Sequence, residues 1–303
     1  MKKDKLWVLS FSGAATRIIA LVVHAIRLQI VKYKADVMTG VSSGWIVVLC
    51  IALEKLSILQ AFALALRLDQ IFGFVPVKED GNFRKLALIR LMIKGSAGDS
   101  KGIEKSIRAF ITEQEWEKFK ATSSTRLFAG VTNYTRNNFK LVEASKLNYE
   151  DMIQISVASA TIPIYCDPIK IDNDLYVDGG VYEHNPADYL VSKLYKEGCT
   201  IEKLVSVYSR PKEKSIIPDW GYNGKSAGRN LSKLTESMMD SISRKNEEAE
   251  RRLALIYGFE LYIYYSPSIL KGVYDVNPQG LIELERETKW LNPVISYRII
   301  TKK

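Results

Sequence analysis

With two histidines and three cysteines in 303 residues, the chain has little material for a metal centre or a disulfide framework. It holds no H-E-x-x-H pair, no cysteine ligand set and no EF-hand loop, so neither a metal nor a cofactor is expected. Cys50, Cys166 and Cys199 are far apart, odd in number and outside any C-x-x-C pair. They read as reduced, mostly buried thiols of a cytoplasmic chain. Long apolar runs are missing too. Leu6 to Leu9 is shorter than the ~7–15 apolar residues of a secretory signal. Ile18 to Ile30 is broken by His24 and Arg27, and the run after Trp45 ends at Glu54, so neither reaches the ~20 residues of a spanning helix.

Apolar residues make up 47% of the chain, enough for a sizeable core. Lysine and arginine exceed aspartate and glutamate by 43 − 34 = 9. That surplus suits anionic partners such as lipid headgroups. It is spread thinly, without the basic run or recognisable fold that would argue for nucleic acid, so none is expected as a partner.

"LWVLSF" (6–11), a small-residue turn and a helical-length apolar stretch read as strand, turn and buried helix. "ADVMTG" and the apolar segment from Trp45 to Leu56 repeat the pattern. Two such units in the first 60 residues argue for a parallel α/β sheet. Farther on, residues 58–111 read as mainly helical with a breaker at Phe74-Val75-Pro76, and "GSAGDSKG" (95–102) as a mobile loop. "RLFAGVTNYTRNNFKLVEA" reads as two strands around a polar turn, and "EDMIQISVASATIPIYCDPI" as a helix ended near Pro163. "LYVDGG" reads as a strand closing on a glycine turn. A helix opening at Asn185-Pro186, a strand "KLVSVYS", a long charged helix and two late strands complete the pattern. No domain boundary stands out.

Two pentads fit G-x-S-x-G, the signature of a serine nucleophile on a sharp strand-to-helix turn. Gly40-Val41-Ser42-Ser43-Gly44 lies between a strand-like and a helical segment, the context such a serine needs. Gly224-Lys225-Ser226-Ala227-Gly228 follows the loop-like "IPDWGYN" and reads as loop; Asp219, where a P-loop needs glycine, excludes that motif as well. A serine nucleophile also needs a base within hydrogen-bond reach. His24 sits among Val22, Val23, Ala25 and Ile26, where packing explains it. His184 follows Asp178 by six residues, and Ser42-Asp178-His184 keeps the chain order of α/β-hydrolases, although acid and histidine normally occupy different loops. Alternatively, Asp178, at the end of a strand and before two glycines, acts on the serine directly. An ordinary Asp-Gly-Gly turn is the plainer reading of that stretch.

Taken together, Gly13-Ala14-Ala15-Thr16-Arg17 after the first strand, the Ser42 pentad after the second, "ASATIPIYCDPI" from Ala158 and "DGGVYEHNP" from Asp178 resemble, in order and spacing, the patatin-like phospholipases. The resemblance covers about residues 6–210. It implies a three-layer α/β/α fold around a mainly parallel sheet, as one domain over 1–303 with a catalytic core of 6–210 and a helical and strand extension over 211–303. It also implies a Ser42-Asp178 dyad working through an acyl-enzyme, with Ser42 as nucleophile and Asp178 as general base. Gly40 and Gly44 flank the elbow, and Gly13, Ala14 and Ala15 form the oxyanion loop. Arg17 positions that loop or meets a phosphate.

The loop departs from the family's G-G-G-x-R-G. Alanine keeps the backbone N–H that an oxyanion hole uses, but a position needing φ > 0 would strain it. The expected function is therefore a lipid acyl hydrolase acting on phospholipid esters, in peripheral contact with a membrane. A catalytically weakened lipid-binding module and a Ser-His-Asp esterase using His184 are the competing readings. "ILQAFALALRL" and "RKLALIRLMIKG" suit an acyl pocket or an interfacial face, with core packing the plainest role for most of their residues.

Overall fold

The computed structural model describes residues 5–30, 32–65, 84–212, 227–267, 278–289 and 294–297. Strand β1 (Leu6–Phe11) pairs in parallel with β2 (Val37–Val41) on one side and β7 (Ile201–Val207) on the other. β3 (Arg126–Asn133) continues the parallel sheet beyond β2, and β8 (Glu260–Tyr264) continues it beyond β7. The other pairings are antiparallel: β4 (Asn138–Glu143) and β6 (Asp174–Asp178) on β3, β5 (Ile169–Ile171) on β6, and β9 (Val294–Tyr297) on β8.

Side chains alternate across a strand, so a sheet covered on both faces must be apolar at successive positions. β1 meets that demand. Leu9 and Phe11 enter one hydrophobic layer, shared with α1 (Ile18–Ile30), α2 (Ser43–Ala52) and a helix α7 (Tyr149–Ser159). Val8 enters the opposite layer, with Val37, Phe128 and the Leu190, Val191 and Leu194 face of α8 (Ala187–Lys196). The chain is a three-layer α/β/α fold whose five central strands run parallel. A 31-residue helix α9 (Ala227–Tyr257) runs behind the second layer.

Between the second and third strands lie α3 (Leu56–Leu64), α4 (Lys85–Lys94), α5 (Lys101–Phe110) and α6 (Glu113–Thr122). A Thr112–Glu115 capping box starts α6. Two expectations need correcting here. The Gly95–Gly102 stretch is not a loose loop: Ser96 and Ala97 are buried, the Ala97 N–H donates to the Ile164 carbonyl at 2.6 Å, and Gly98 bridges to Cys166. Nor does α4 turn inward four of its large apolar side chains. Ala87 is buried, while Leu86, Ile89, Met92 and Ile93 are 52–87% exposed. The breaker at 74–76, and Ser226 with most of its pentad, lie outside the described residues.

The glycines flanking Ser42 are required by close approach rather than by their own dihedrals, since neither has positive φ. A Cβ on Gly40 would lie 2.6 Å from the Gly44 carbonyl carbon, and one on Gly44 would lie 2.7 Å from the Phe11 carbonyl oxygen. Backbone cannot give way as a side-chain tip can. Gly44→Ala is therefore expected to cost at least ~1–3 kcal/mol of stability, read as a lowered Tm.

Candidate active site

The geometry of the site follows from a change of partner along one edge of β3. Residues 126–130 of β3 pair with β2, ending at Val41 opposite Gly130. The next residue, Val131, pairs with Asp178 of β6. Val41 immediately precedes Ser42, so two chain segments 136 positions apart in sequence end side by side on one strand. Gly179 permits the contact, because a Cβ there would lie 2.9 Å from Val41 Cγ1 and closer still to the Gly130 carbonyl.

Ser42 is 6% exposed and sits at φ 55, ψ −135, a sparsely populated conformation for a residue with a side chain. The strain lies on the serine itself. It immediately precedes α2, whose first N–H groups have no intrahelical acceptors and favour negative charge nearby. The Ser42 N–H is held by Ser159 Oγ at 3.0 Å, and the Ser159 hydroxyl donates to the Gly130 carbonyl at 2.7 Å. Residues from α2, α7 and β3 thus hold the turn together.

Asp178 is 2% exposed, with its own N–H on the Thr161 carbonyl at 2.8 Å. Its Oδ1 accepts the Gly180 N–H at 2.7 Å. Burial pushes its carboxyl up to about 7, against the opposing pull of the Ser42 hydroxyl and the Gly180 N–H.

The Gly13-Ala14-Ala15 loop, expected to form an oxyanion hole, is partly engaged by its own surroundings. The Gly13 N–H donates to the His184 carbonyl at 2.9 Å and the Ala14 N–H to Ser43 Oγ at 3.0 Å. Among the described residues the Ala15 N–H has no acceptor. Ala15 has φ 45, the strained conformation that the missing glycines foreshadow, whereas Ala14 has φ −143. Arg17 closes the 3-10 turn into α1, its N–H on the Ala14 carbonyl at 2.9 Å.

His184 and His24 are both buried. His24 lies far along α1 from the turn, with Nε2 3.1 Å from the Tyr265 carbonyl, and burial lowers it to about 4. His184 lies at the site, yet no hydrogen bond joins it to Asp178. Its N–H and that of Asn185 both donate to Asn246 Oδ1 of α9, each at 3.1 Å, while the Asn185 side chain bonds Ser10. Arg210, at the end of β7, ties to the same helix through Ser243 and Glu247. The sequence reading gave no role to Ser43, Ser159 or Asn246; Ser43 lies in the pentad and Ser159 in the stretch from Ala158 that it had singled out, and Asn246 in neither. Cys50 and Cys166 are buried, with thiols pushed up to about 12 by desolvation. Among the described residues no group of histidines, cysteines and acids is arranged to hold a metal ion, and no helix is long and apolar enough to cross a membrane.

The structure thus places a serine on a strained strand-to-helix turn after the second strand of a three-layer fold, with a buried carboxylate facing it. The model of one family, described as patatin-like phospholipase, matches residues 9–191, more than half of the chain. The chain belongs to that family of lipid hydrolases. Among solved structures, VipD from Legionella pneumophila is similar with a TM-score of 0.47 and 11% identity, over 94% of this chain and 67% of that one. The type III effector protein ExoU is similar with a TM-score of 0.39 and 10% identity, over 95% of this chain and 52% of that one. The chain thus spans about two thirds of the first and half of the second. No curated protein matches it.

Two predictions follow from this geometry. Ala15→Gly relieves a left-handed alanine, worth ~1–2 kcal/mol, and offsets glycine's entropic penalty; Ala14→Gly relieves nothing and should cost about 0.5–1 kcal/mol. Thermal unfolding of the two variants should place Ala15→Gly at or above wild type and Ala14→Gly below it. Asp178 has a folded pKa of about 7, above its ordinary 3.8, so the folded state binds the proton more tightly. Stability present at low pH is lost as pH rises from about 4 through about 7. The Tm of Asp178→Asn should therefore gain on that of wild type across this window and stay parallel above it.

Proposed function

We propose that the protein is a lipid acyl hydrolase that cleaves fatty-acyl esters of phospholipids through a Ser42 acyl-enzyme, with Asp178 as the base. The observation that carries this reading is the buried Asp178 carboxylate facing Ser42 at the N-terminus of α2. As Ser42 Oγ attacks the ester carbonyl, its proton passes to Asp178 and the carbonyl electron pair moves to oxygen. When the intermediate collapses, the alcohol leaves with that proton. Water, activated by the same carboxylate, then releases the fatty acid. A carboxyl near 7 suits this work, since about half of it is ionised at neutral pH and it is still basic enough to accept the proton. The desolvated site also strengthens every dipole aimed at the oxyanion.

The exposed Leu86, Ile89, Met92 and Ile93 on α4, with exposed Arg84, Lys85 and Lys94 around them, support peripheral contact with an anionic lipid surface. The cysteines support a cytoplasmic setting, and the diffuse basic charge gives no support to nucleic acid as a partner. A second reading, a weakened lipid-binding module, is favoured by one observation: two N–H groups of the oxyanion loop are already engaged.

Purified protein on anionic phospholipid vesicles tests the lead reading through fatty-acid release. Wild type should be active, with a rate that rises with pH through about 7. Ser42→Ala and Asp178→Asn should each lose at least about 10³-fold. Equal release by all three removes the dyad. A fluorophosphonate that leaves Ser42 unmodified in the folded protein selects the binding module instead.

A further inference from the structure

His184 is a buried imidazole that the dyad does not use. It is 7% exposed, its Nδ1 has no hydrogen-bond partner, and among the described residues Nε2 has none either. The ring edge bearing Nε2 and Cδ2 borders the reaction gap. A Cβ placed on Gly13 would lie 3.5 Å from His184 Nε2 and 3.5 Å from Ser42 Cβ. One placed on Gly180 would lie 3.0 Å from Asp178 Oδ1 and 3.8 Å from His184 Cδ2. The imidazole edge is therefore separated from the serine by the space beside Gly13 and from the carboxylate by the space beside Gly180, each about the width of one small group.

An acyl-transfer site needs donors aimed at the oxygen that becomes negative. Here the Gly13 N–H is taken by the His184 carbonyl and the Ala14 N–H by Ser43, which leaves Ala15 as the loop's unengaged donor. We infer that His184 Nε2–H is a donor of the oxyanion hole, standing in for the loop N–H groups that are already engaged. This rests on the hydrolase reading above.

The main chain around the imidazole is fixed. The N–H groups of His184 and Asn185 are both held by Asn246, and its carbonyl is held by Gly13. Desolvation keeps the ring neutral, assisted by the charges of Arg210 and Arg17 and opposed by Asp240. A neutral imidazole has one N–H and one lone pair. With no partner on Nδ1 to hold the proton there, an oxyanion beside Nε2 selects the Nε2–H tautomer. The proton balance of the reaction is unchanged: Asp178 takes and returns the serine proton, and His184 donates a hydrogen bond without losing its own.

The test uses His184→Ala and His184→Gln in the full chain. It reads kcat and KM for vesicle hydrolysis, the pH profile, the rate of Ser42 modification by a fluorophosphonate, and Tm. Loss of one good oxyanion donor costs about 10²–10³ in kcat. That loss is expected for His184→Ala with KM little changed. His184→Gln, which keeps an N–H but cannot act as a base, should recover at least about tenfold over His184→Ala while the rising limb stays near 7. Phosphonylation passes through the same hole, so its rate should follow the same order and reads the donor even if lipid turnover fails. His184→Ala with wild-type rates overturns the proposal. So does a His184→Gln as inactive as His184→Ala at unchanged Tm, which makes the histidine a base. Wild type that labels at Ser42 but releases no fatty acid overturns the lipid reading and leaves the donor assignment measurable. Wild type that neither labels nor turns over overturns both.

Discussion

The site depends on one strand edge that two others share end to end. β3 pairs with β2 up to Gly130 and with β6 from Val131, so the serine after β2 and the aspartate ending β6 are brought together by backbone hydrogen bonds. Their separation is set by the ladder rather than by flexible side chains, which suits a reaction sensitive to small displacements. The same constraint explains the small residues nearby. Gly130 and Gly179 lie where β2, β3 and β6 crowd together, and a Cβ on either would press into Val41.

Placing Asp178 there has an electrostatic cost. Among the described residues the carboxylate has no cationic partner to offset its desolvation, only the Gly180 N–H and the serine hydroxyl. An arginine beside it would stabilise the fold and weaken the base. The Gly13-Ala14-Ala15 loop carries a second tension, since Ala15 holds a conformation that glycine would adopt freely. The surrounding strands and helices hold both features in place, as expected where stability and chemistry make opposite demands.

Much of this was legible in the sequence because it is written in local patterns. Apolar runs of strand length followed by apolar helical stretches gave the parallel units, and the strand before and helix after the Ser42 pentad were legible in the same way. The left-handed Ala15 was foreshadowed by the missing glycines. Ser43, Ser159 and Asn246 left no such trace. They act on backbone groups 29, 117 and 62 residues away, and a single polar side chain bonding so far along the chain disturbs no periodicity. The outward face of α4 was among the roles its sequence allowed, although core packing was the plainer reading. An amphipathic pattern reads identically whether its apolar side meets a protein core or faces outward. The Gly95–Gly102 stretch has turn-forming composition, and its burial comes from a nonlocal pairing with Cys166.

The position of β7 bears on how such a chain can be divided. The family match ends at residue 191, whereas β7 begins at Ile201 and lies between β1 and β8 in the middle of the sheet. A shuffled gene fragment cut at the end of the match would expose the open flank of β1, whose apolar residues are set for burial on both faces, and would leave the His184 turn without Asn246. The smallest unit that can be exchanged whole therefore extends past the matched residues, at least as far as the strand that covers the open flank of β1.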